Sequence, residues 1–248
     1  MRLTSTLAAL MLTTTSALAL DLDAMSDAER TTFRAEVRAY LLENPEVLLE
    51  AISVLENRQE TAQATRDERL AQTNMDALVN DGFSYVGGNP DGDITIVEFI
   101  DYRCSFCRRA HPEVAELLQS DGNIRIIIKD FPILGEQSVL ASRFAVATRI
   151  IAGNDAYKQV SDALIALNSD VTTASLAEIA SAFDLDTDAI FAEMESLAVQ
   201  EVLTKNRALG ERMQITGTPT FVIGDEMVRG YVPLARMRQI VEAEREDS

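Results

Sequence analysis

The chain has 248 residues, 47% of them apolar, enough for one ordinary domain with its own core plus a smaller segment. Asp and Glu number 40 against 22 Lys and Arg, a net charge of −18. That balance argues against nucleic acid as a partner, because a phosphate-binding surface needs clustered basic residues.

The first residues read as an export signal. Met1-Arg2 supplies a basic start, Leu7 to Leu12 an apolar stretch, and Ala17-Leu18-Ala19 an A-x-A cleavage pattern, so residues 1–19 are expected to be a signal peptide cut after Ala19. The segment is interrupted by Thr13, Thr14, Thr15 and Ser16, and falls short of the ~20 apolar residues of a membrane span. With no cysteine near the cut to carry a lipid and no other apolar span, the mature protein is expected to be soluble and exported, in a bacterial periplasm.

Residues 20–60 differ in character from the rest. Ser26 with Glu29 three positions on forms a capping-box pattern, which opens a helical run to residue 43. Asn44-Pro45 interrupts it, and Pro45 suits the first position of a second helix. Leu41, Leu48 and Leu55 recur every seven residues, as do Tyr40, Val47 and Val54, with Ile52 between. Two such apolar columns need something to bury them. A helical oligomerisation domain is expected, the alternative being a helix packed on its own domain. From Asn57 to Thr73 the sequence is almost entirely polar, without Gly or Pro, so residues 61–81 read as a helical or flexible linker.

A catalytic domain is expected over 82–248. Phe83 to Val86 is a weak strand before the turn cluster Gly87-Gly88-Asn89-Pro90-Asp91-Gly92, Ile94 to Ile100 a buried strand, Cys104 to Gln119 a helix containing Pro112, and Ile124 to Ile128 a second core strand. This is a β-α-β unit with parallel strands. A helical stretch of about 136–213 follows, with breaks at Gly153-Asn154-Asp155, Asn168-Ser169-Asp170 and Asp184-Leu185-Asp186. Strand signals return at Thr220 to Ile223, turn at Gly224-Asp225-Glu226, and resume at Met227-Val228 before a last helix from Pro233 to about Glu246.

The two cysteines of the chain stand three apart, Cys104-Ser105-Phe106-Cys107, directly after a buried strand. That placement puts Cys104 at the first turn of a helix, where unpaired N–H groups and the helix dipole favour a thiolate. The outer cysteine then attacks a disulfide and the inner one resolves the mixed disulfide. A structural disulfide across so short a loop removes little chain entropy. A zinc site wants four ligands, and the chain offers two cysteines and His111. Copper(I), which accepts two thiolates, stays open as an accessory or rival ligand. Arg103, Arg108 and Arg109 flank the pair, either as a solvated helix face or as charges that stabilise the Cys104 thiolate.

Val97-Glu98-Phe99 before the cysteines, Lys129-Asp130-Phe131-Pro132-Ile133-Leu134-Gly135, and Gly217-Thr218-Pro219-Thr220-Phe221 occur in this order. Together they resemble the DsbA-like branch of the thioredoxin superfamily over most of residues 83–246. Tyr40 to Glu50 is similar to the N-terminal domain of the ScsC proteins, suppressor-of-copper-sensitivity relatives of DsbA that assemble through this domain, sometimes as trimers, and act as disulfide isomerases. The resemblance implies an α/β thioredoxin fold with a helical insertion, preceded by the helical oligomerisation segment. It implies Cys104 as attacking thiolate, Cys107 as resolving thiol, and Thr218-Pro219 as a cis-proline loop that holds the substrate chain. Glu98 takes the place of a buried acid that shuttles protons to Cys107, or is an edge carboxylate; His111 reads as packing or capping material. Implied partners are exported proteins with cysteines and a membrane redox partner that resets the pair. No cofactor beyond the redox-active Cys104-Cys107 pair is implied, apart from the copper(I) option. Ser105-Phe106 replaces the Pro-His of strongly oxidising relatives, which points to a less oxidising poise and so to an isomerase or reductase before a dithiol oxidase.

Overall fold

The computed structural model describes residues 25–246, so the export signal expected at residues 1–19 lies outside the described residues. The chain divides into two compact units, residues 1–59 and 60–248.

In the N-terminal unit α1 spans Asp27–Glu43. Its capping box forms as the sequence predicts: the Glu29 N–H donates to Ser26 Oγ at 3.3 Å, and the Ser26 N–H donates to Glu29 Oε2 at 2.8 Å. Asn44 ends the helix, its backbone N–H and side-chain amide both donating to the Tyr40 carbonyl. α2 then runs over Glu46–Val79, with Pro45 just ahead of it. The break divides the sevenfold columns, for Tyr40 and Leu41 sit on α1 while Val47, Leu48, Val54 and Leu55 sit on α2. No residue of α1 is buried. Phe33, Val37 and Leu41, spaced four apart, share one face and join Leu48 around an open apolar groove.

The second unit contains a five-stranded sheet of order β1-β3-β2-β4-β5: β1 (Tyr85–Gly88), β2 (Ile94–Ile100), β3 (Ile124–Asp130), β4 (Thr220–Ile223) and β5 (Glu226–Arg229). β2 and β3 are parallel, with Ile96 opposite Ile126, and are joined by α3 (Ser105–Asp121). The remaining pairs are antiparallel. β1 starts two residues later than the sequence suggests and takes in Gly87 and Gly88. The helical insertion comprises α4 (Glu136–Ala166), α5 (Thr173–Ala182), α6 (Thr187–Glu193) and α7 (Leu197–Arg212). The predicted break at Gly153 is a kink within α4, where φ is 85°. A further break separates α6 from α7, where Ser196 caps α7 by accepting from the Val199 N–H. α8 (Leu234–Glu246) closes the chain.

Strand alternation sorts the core into two layers. Ile94, Ile96 and Ile100 of β2 pack with α3, α4 and α8, whereas Val97 and Phe99 face a second cluster with Leu209 of α7 and Met213, which caps it. Ala71 and Leu78 of α2 are fully buried in that second cluster. Of the two expectations for residues 61–81, a helical or a flexible linker, the helix is the one formed, as far as Val79, and its buried Asp67, Ala71 and Leu78 make part of it core and not a solvated connector. Its polar residues are satisfied at long range. Buried Asp67 receives the Arg229 guanidinium through two hydrogen bonds, at 2.7 and 3.0 Å, from 162 positions away. Lys129 donates to the Ala77 carbonyl and pairs with Asp81, and Arg125 donates to the Val79 carbonyl. Two basic side chains of β3 thus supply partners for the carbonyls at the end of α2, groups that a helix cannot satisfy internally.

Candidate active site

Cys104 is the N-cap of α3, with extended backbone (φ −76°, ψ 119°), and its Sγ accepts from the Cys107 N–H at 3.5 Å. The loop that delivers it is held by Asp101, a fully buried acid that sequence reasoning did not single out. One Asp101 oxygen accepts from the Arg103 N–H at 2.8 Å; the other accepts from the Ile133 and Leu134 N–H groups at 2.8 and 3.0 Å. The Asp101 carbonyl accepts from the Cys104 N–H. One carboxylate thereby joins the β2–α3 loop to the β3–α4 loop and fixes where Cys104 stands.

The Thr218–Pro219 bond is cis. It brings the Thr218 carbonyl to 3.0 Å from Cys104 Sγ, where the thiol donates to it. The structure thus brings Cys104, Cys107 and Thr218-Pro219 together across 114 residues of chain.

The cysteines are both free thiols and unequal. Cys104 is pushed down to about 5, first by a hydrogen bond from the Cys107 thiol, then by the Thr218 hydroxyl and the Cys107 and Phe106 N–H groups; partial burial opposes the shift. The thiol's bond to the Thr218 carbonyl also favours the protonated form, but the donors outnumber it. The Thr218 hydroxyl has no partner in the dithiol state and is available to the thiolate. Cys107 goes the other way, pushed up by its bond to Cys104 and then by burial and by the nearby Glu98 charge.

None of the three arginines bonds to Cys104; each is engaged elsewhere. Arg108 donates to the Ile165 and Leu167 carbonyls, Arg103 to the Ser169 carbonyl, and the Arg109 guanidinium lies 4.2 Å from the Tyr231 ring centroid. Arg103 and Arg108 pin the start of α3 to the chain around the end of α4. Glu98 lies on the β2 face turned toward α3, 4% exposed, and burial alone pushes it up to about 8. It shares a small cavity with Cys107 and His111. Among the described residues no group of three or more His, Cys, Asp or Glu side chains is placed to hold a metal ion.

Comparison with known proteins adds to this geometry. The thioredoxin family model matches residues 80–243. The model of the copper resistance protein ScsC N-terminal domain matches residues 29–62. The chain belongs to the thioredoxin superfamily, as an ScsC-like member. A thioredoxin-like oxidoreductase from Silicibacter pomeroyi DSS-3 is 36% identical, covering 69% of this chain and 97% of that one at a TM-score of 0.65. Proteus mirabilis ScsC in a transitional conformation is 28% identical over 92% of this chain and all of that one, with a TM-score of 0.66. A periplasmic thioredoxin-like protein from Salmonella enterica serovar Typhimurium is 27% identical over 68% of this chain and 94% of that one, with a TM-score of 0.60. Among curated sequences, a Na(+)/H(+) antiporter NhaA 3 of Salinispora tropica is 26% identical over 59% of this chain. The chain spans only about a fifth of such antiporters' length, 22% in that case. No helix among the described residues is long and apolar enough to cross a membrane. The likeness to ScsC proteins extends over both units, whereas the family model for the thioredoxin fold begins at residue 80, directly after α2.

The unequal acidities of the thioredoxin pair have a direct readout. Iodoacetamide at pH 6 should label Cys104 almost alone, and the labelling rate should rise with pH to a plateau with a midpoint near 5, because only the thiolate reacts. Peptide mapping that finds Cys107 labelled first would reverse the roles of the two sulfurs.

Proposed function

We propose that the protein is a periplasmic thiol–disulfide oxidoreductase that works chiefly as a disulfide isomerase or reductase on exported proteins with cysteines. The observation that carries this reading is the asymmetric dithiol: an acidic Cys104 at a helix start beside the Thr218-Pro219 loop, over a buried Cys107 whose proton is firmly held. The Cys104 thiolate attacks one sulfur of a substrate disulfide and expels the other as a thiolate. The Thr218-Pro219 loop lies against the attacking sulfur and lines the place where the substrate chain must pass. Cys107, relieved of its proton by Glu98, then attacks Cys104 and releases the substrate reduced. If a second substrate thiol attacks the mixed disulfide first, the substrate leaves rearranged and Cys104 is regenerated.

A stabilised thiolate favours the dithiol over the disulfide. That serves an isomerase, which must remain reduced, and it also serves the product state of a dithiol oxidase. Assembly favours the isomerase. Tyr40, Leu42, Leu48, Leu49, Ile52, Val54 and Leu55 are all exposed in the N-terminal unit, an apolar surface that other copies of the chain would cover. Several Cys104 sites around one substrate raise the local thiol concentration there. The A-x-A pattern at Ala17-Leu18-Ala19 and the periplasmic relative support export, and a membrane redox partner would keep the pair reduced.

Removing residues 20–59 tests the reading. The remaining unit retains its own core and should reduce simple disulfides at the parent rate, yet lose isomerase activity on scrambled ribonuclease. A truncated protein that isomerises as well as the parent overturns the assembly argument, and a parent that is monomeric by light scattering and does not isomerise favours a monomeric oxidase instead. Copper(I) is a second reading, supported by the name of the matched N-terminal family and by two adjacent thiols suited to a soft ion. Stoichiometric copper(I) binding without isomerase activity would select it.

A further inference from the structure

Beneath the dithiol lies a cavity of about 50 Å3, large enough to admit water. Glu98 of β2 and Cys107 of α3 border it and are almost wholly buried, at 4% and 1% exposure. His111 also borders it, with about a third of its side chain exposed (35%). Cys107 and His111 are four residues apart, so they share one face of α3, and the cavity connects the buried sulfur to a group that reaches solvent. His111 Nε2 lies 3.0 Å from Asp162 Oδ1. With Nε2–H donating to that carboxylate, the neutral ring keeps Nδ1 as a proton acceptor.

The other titratable groups facing the cavity are already committed or unsuited to carrying a proton at neutral pH. The Lys158 ammonium donates to Asp162 at 2.6 Å, and the Tyr157 hydroxyl donates to buried Asp130 at 3.0 Å. Tyr85, from β1, is pushed above its ordinary value by burial and then by the Asp162 and Asp155 charges. Glu98 holds its proton at neutral pH for most of the time, since burial raises it to about 8. A protonated carboxyl accepts nothing from Cys107. Before each resolving step Glu98 must lose that proton to solvent, from a site closed on the β2 side.

We propose that His111, oriented by Asp162, is the proton port of the dithiol, passing protons between cavity water beside Glu98 and the surrounding solvent. The proposal rests on the oxidoreductase reading and deepens it. Glu98–COOH gives its proton through water to His111 Nδ1, and His111 releases a proton outward. The Glu98 carboxylate then takes the Cys107 proton. The Cys107 thiolate attacks Cys104 Sγ, the bond from Cys104 to the substrate sulfur breaks, and the substrate leaves as a thiolate that is protonated by solvent. Two electrons pass from the dithiol to the substrate disulfide, and the protons balance through Glu98. His111 touches neither sulfur of the reacting bond, so it acts as a positioning and relay residue.

The test uses the full chain with His111→Gln, which can still donate to Asp162 but carries no proton. Rapid mixing with a disulfide peptide separates formation of the mixed disulfide from its resolution. Formation should match the parent, and resolution near pH 7 should slow about tenfold, less than loss of a direct general base would cost. Added imidazole should restore the rate in proportion to its neutral form. Asp162→Asn should give a smaller slowing that imidazole also relieves. Resolution at the parent rate in His111→Gln, or slow resolution that no buffer base relieves, overturns the port and leaves the oxidoreductase reading standing. If the parent itself forms no mixed disulfide through Cys104, that reading falls and the port with it.

Discussion

Replacing Cys107 by alanine is expected to turn the protein into a trap. Cys104 keeps its helix cap, the Cys107 backbone N–H and the Thr218 hydroxyl, so it still attacks substrate disulfides. The largest cause of its acidity, the bond from the Cys107 thiol, is lost, so its thiolate should form at higher pH than in the parent. The resolving thiol is gone as well. An intramolecular thiol beside Cys104 acts at a far higher effective concentration than dissolved thiols, so turnover of a disulfide substrate should fall by roughly 1,000-fold. Mixed disulfides should accumulate on Cys104 and survive non-reducing electrophoresis. Cys104→Ala should accumulate none, because the remaining sulfur is 1% exposed and holds its proton. Equal capture of partners by the two variants in cells would defeat the mixed-disulfide mechanism.

Much of this site is legible in the sequence because the fold repeats simple signals around it. Short apolar runs bounded by Gly, Pro and Asp give β2, β3 and β4 within a residue or two, and a Cys-x-x-Cys directly after a strand can cap the following helix. Glu98 is visible as a lone acid within an apolar strand. The remaining features depend on partners far away in the chain. Asp101 looks like any loop acid until the Ile133 and Leu134 N–H groups arrive from the next loop. The arginines beside the cysteines show no bonding partner in the sequence; the carbonyls near the end of α4 that Arg103 and Arg108 bond come from about 60 residues away. His111 reads as packing or capping material in the sequence, and its contact with Asp162 and its place beside the cavity come from residues about 50 positions away. The polar run before the catalytic domain reads as a helix or a flexible linker, and what it hides is that one face of the helix is buried. The buried face is masked because it is built from Asp67, Ala71 and Leu78, and Asp67 is acceptable in a core only when Arg229 meets it.

That hidden face yields the second large effect, at Asp81. Lys129 is fully buried on β3, and its ammonium is held by the Asp81 carboxylate and the Ala77 carbonyl. Burial pulls Lys129 down from its ordinary value, while the Asp81 bond pulls it back. Asp81 is lowered overall; burial is the largest influence on it and opposes this, but the bonds from Lys129 and Ser84 outweigh it. Removing one partner of such a pair leaves a buried charge uncompensated, at a cost of about 3–5 kcal/mol. Asp81→Ala should therefore lower the melting temperature by roughly 10 °C, at about 2–4 °C per kcal/mol for a unit of this size. Asp81→Ala combined with Lys129→Met should recover much of that loss, since no unpaired ammonium remains, and the double-mutant cycle gives the coupling directly. The sign of the pH effect follows from Asp81. Its folded-state value lies below the unfolded one, so its contribution is complete above the unfolded value of about 3.8 and is lost as pH falls through the folded one. The parent should lose more stability than Asp81→Ala in that acid range, because the lowered Asp121 and Asp162 act in both proteins and Asp81 only in the parent. The same pair sets where the catalytic unit begins. A fragment starting at Gly82 forfeits Asp81, Asp67, Ala71 and Leu78 and should be markedly less stable than one starting at Glu60. A Gly82 fragment as stable as the Glu60 fragment, or an Asp81→Ala cost below about 1 kcal/mol, the range of an exposed ion pair, would show that the end of α2 is an accessory to the fold and not part of its core.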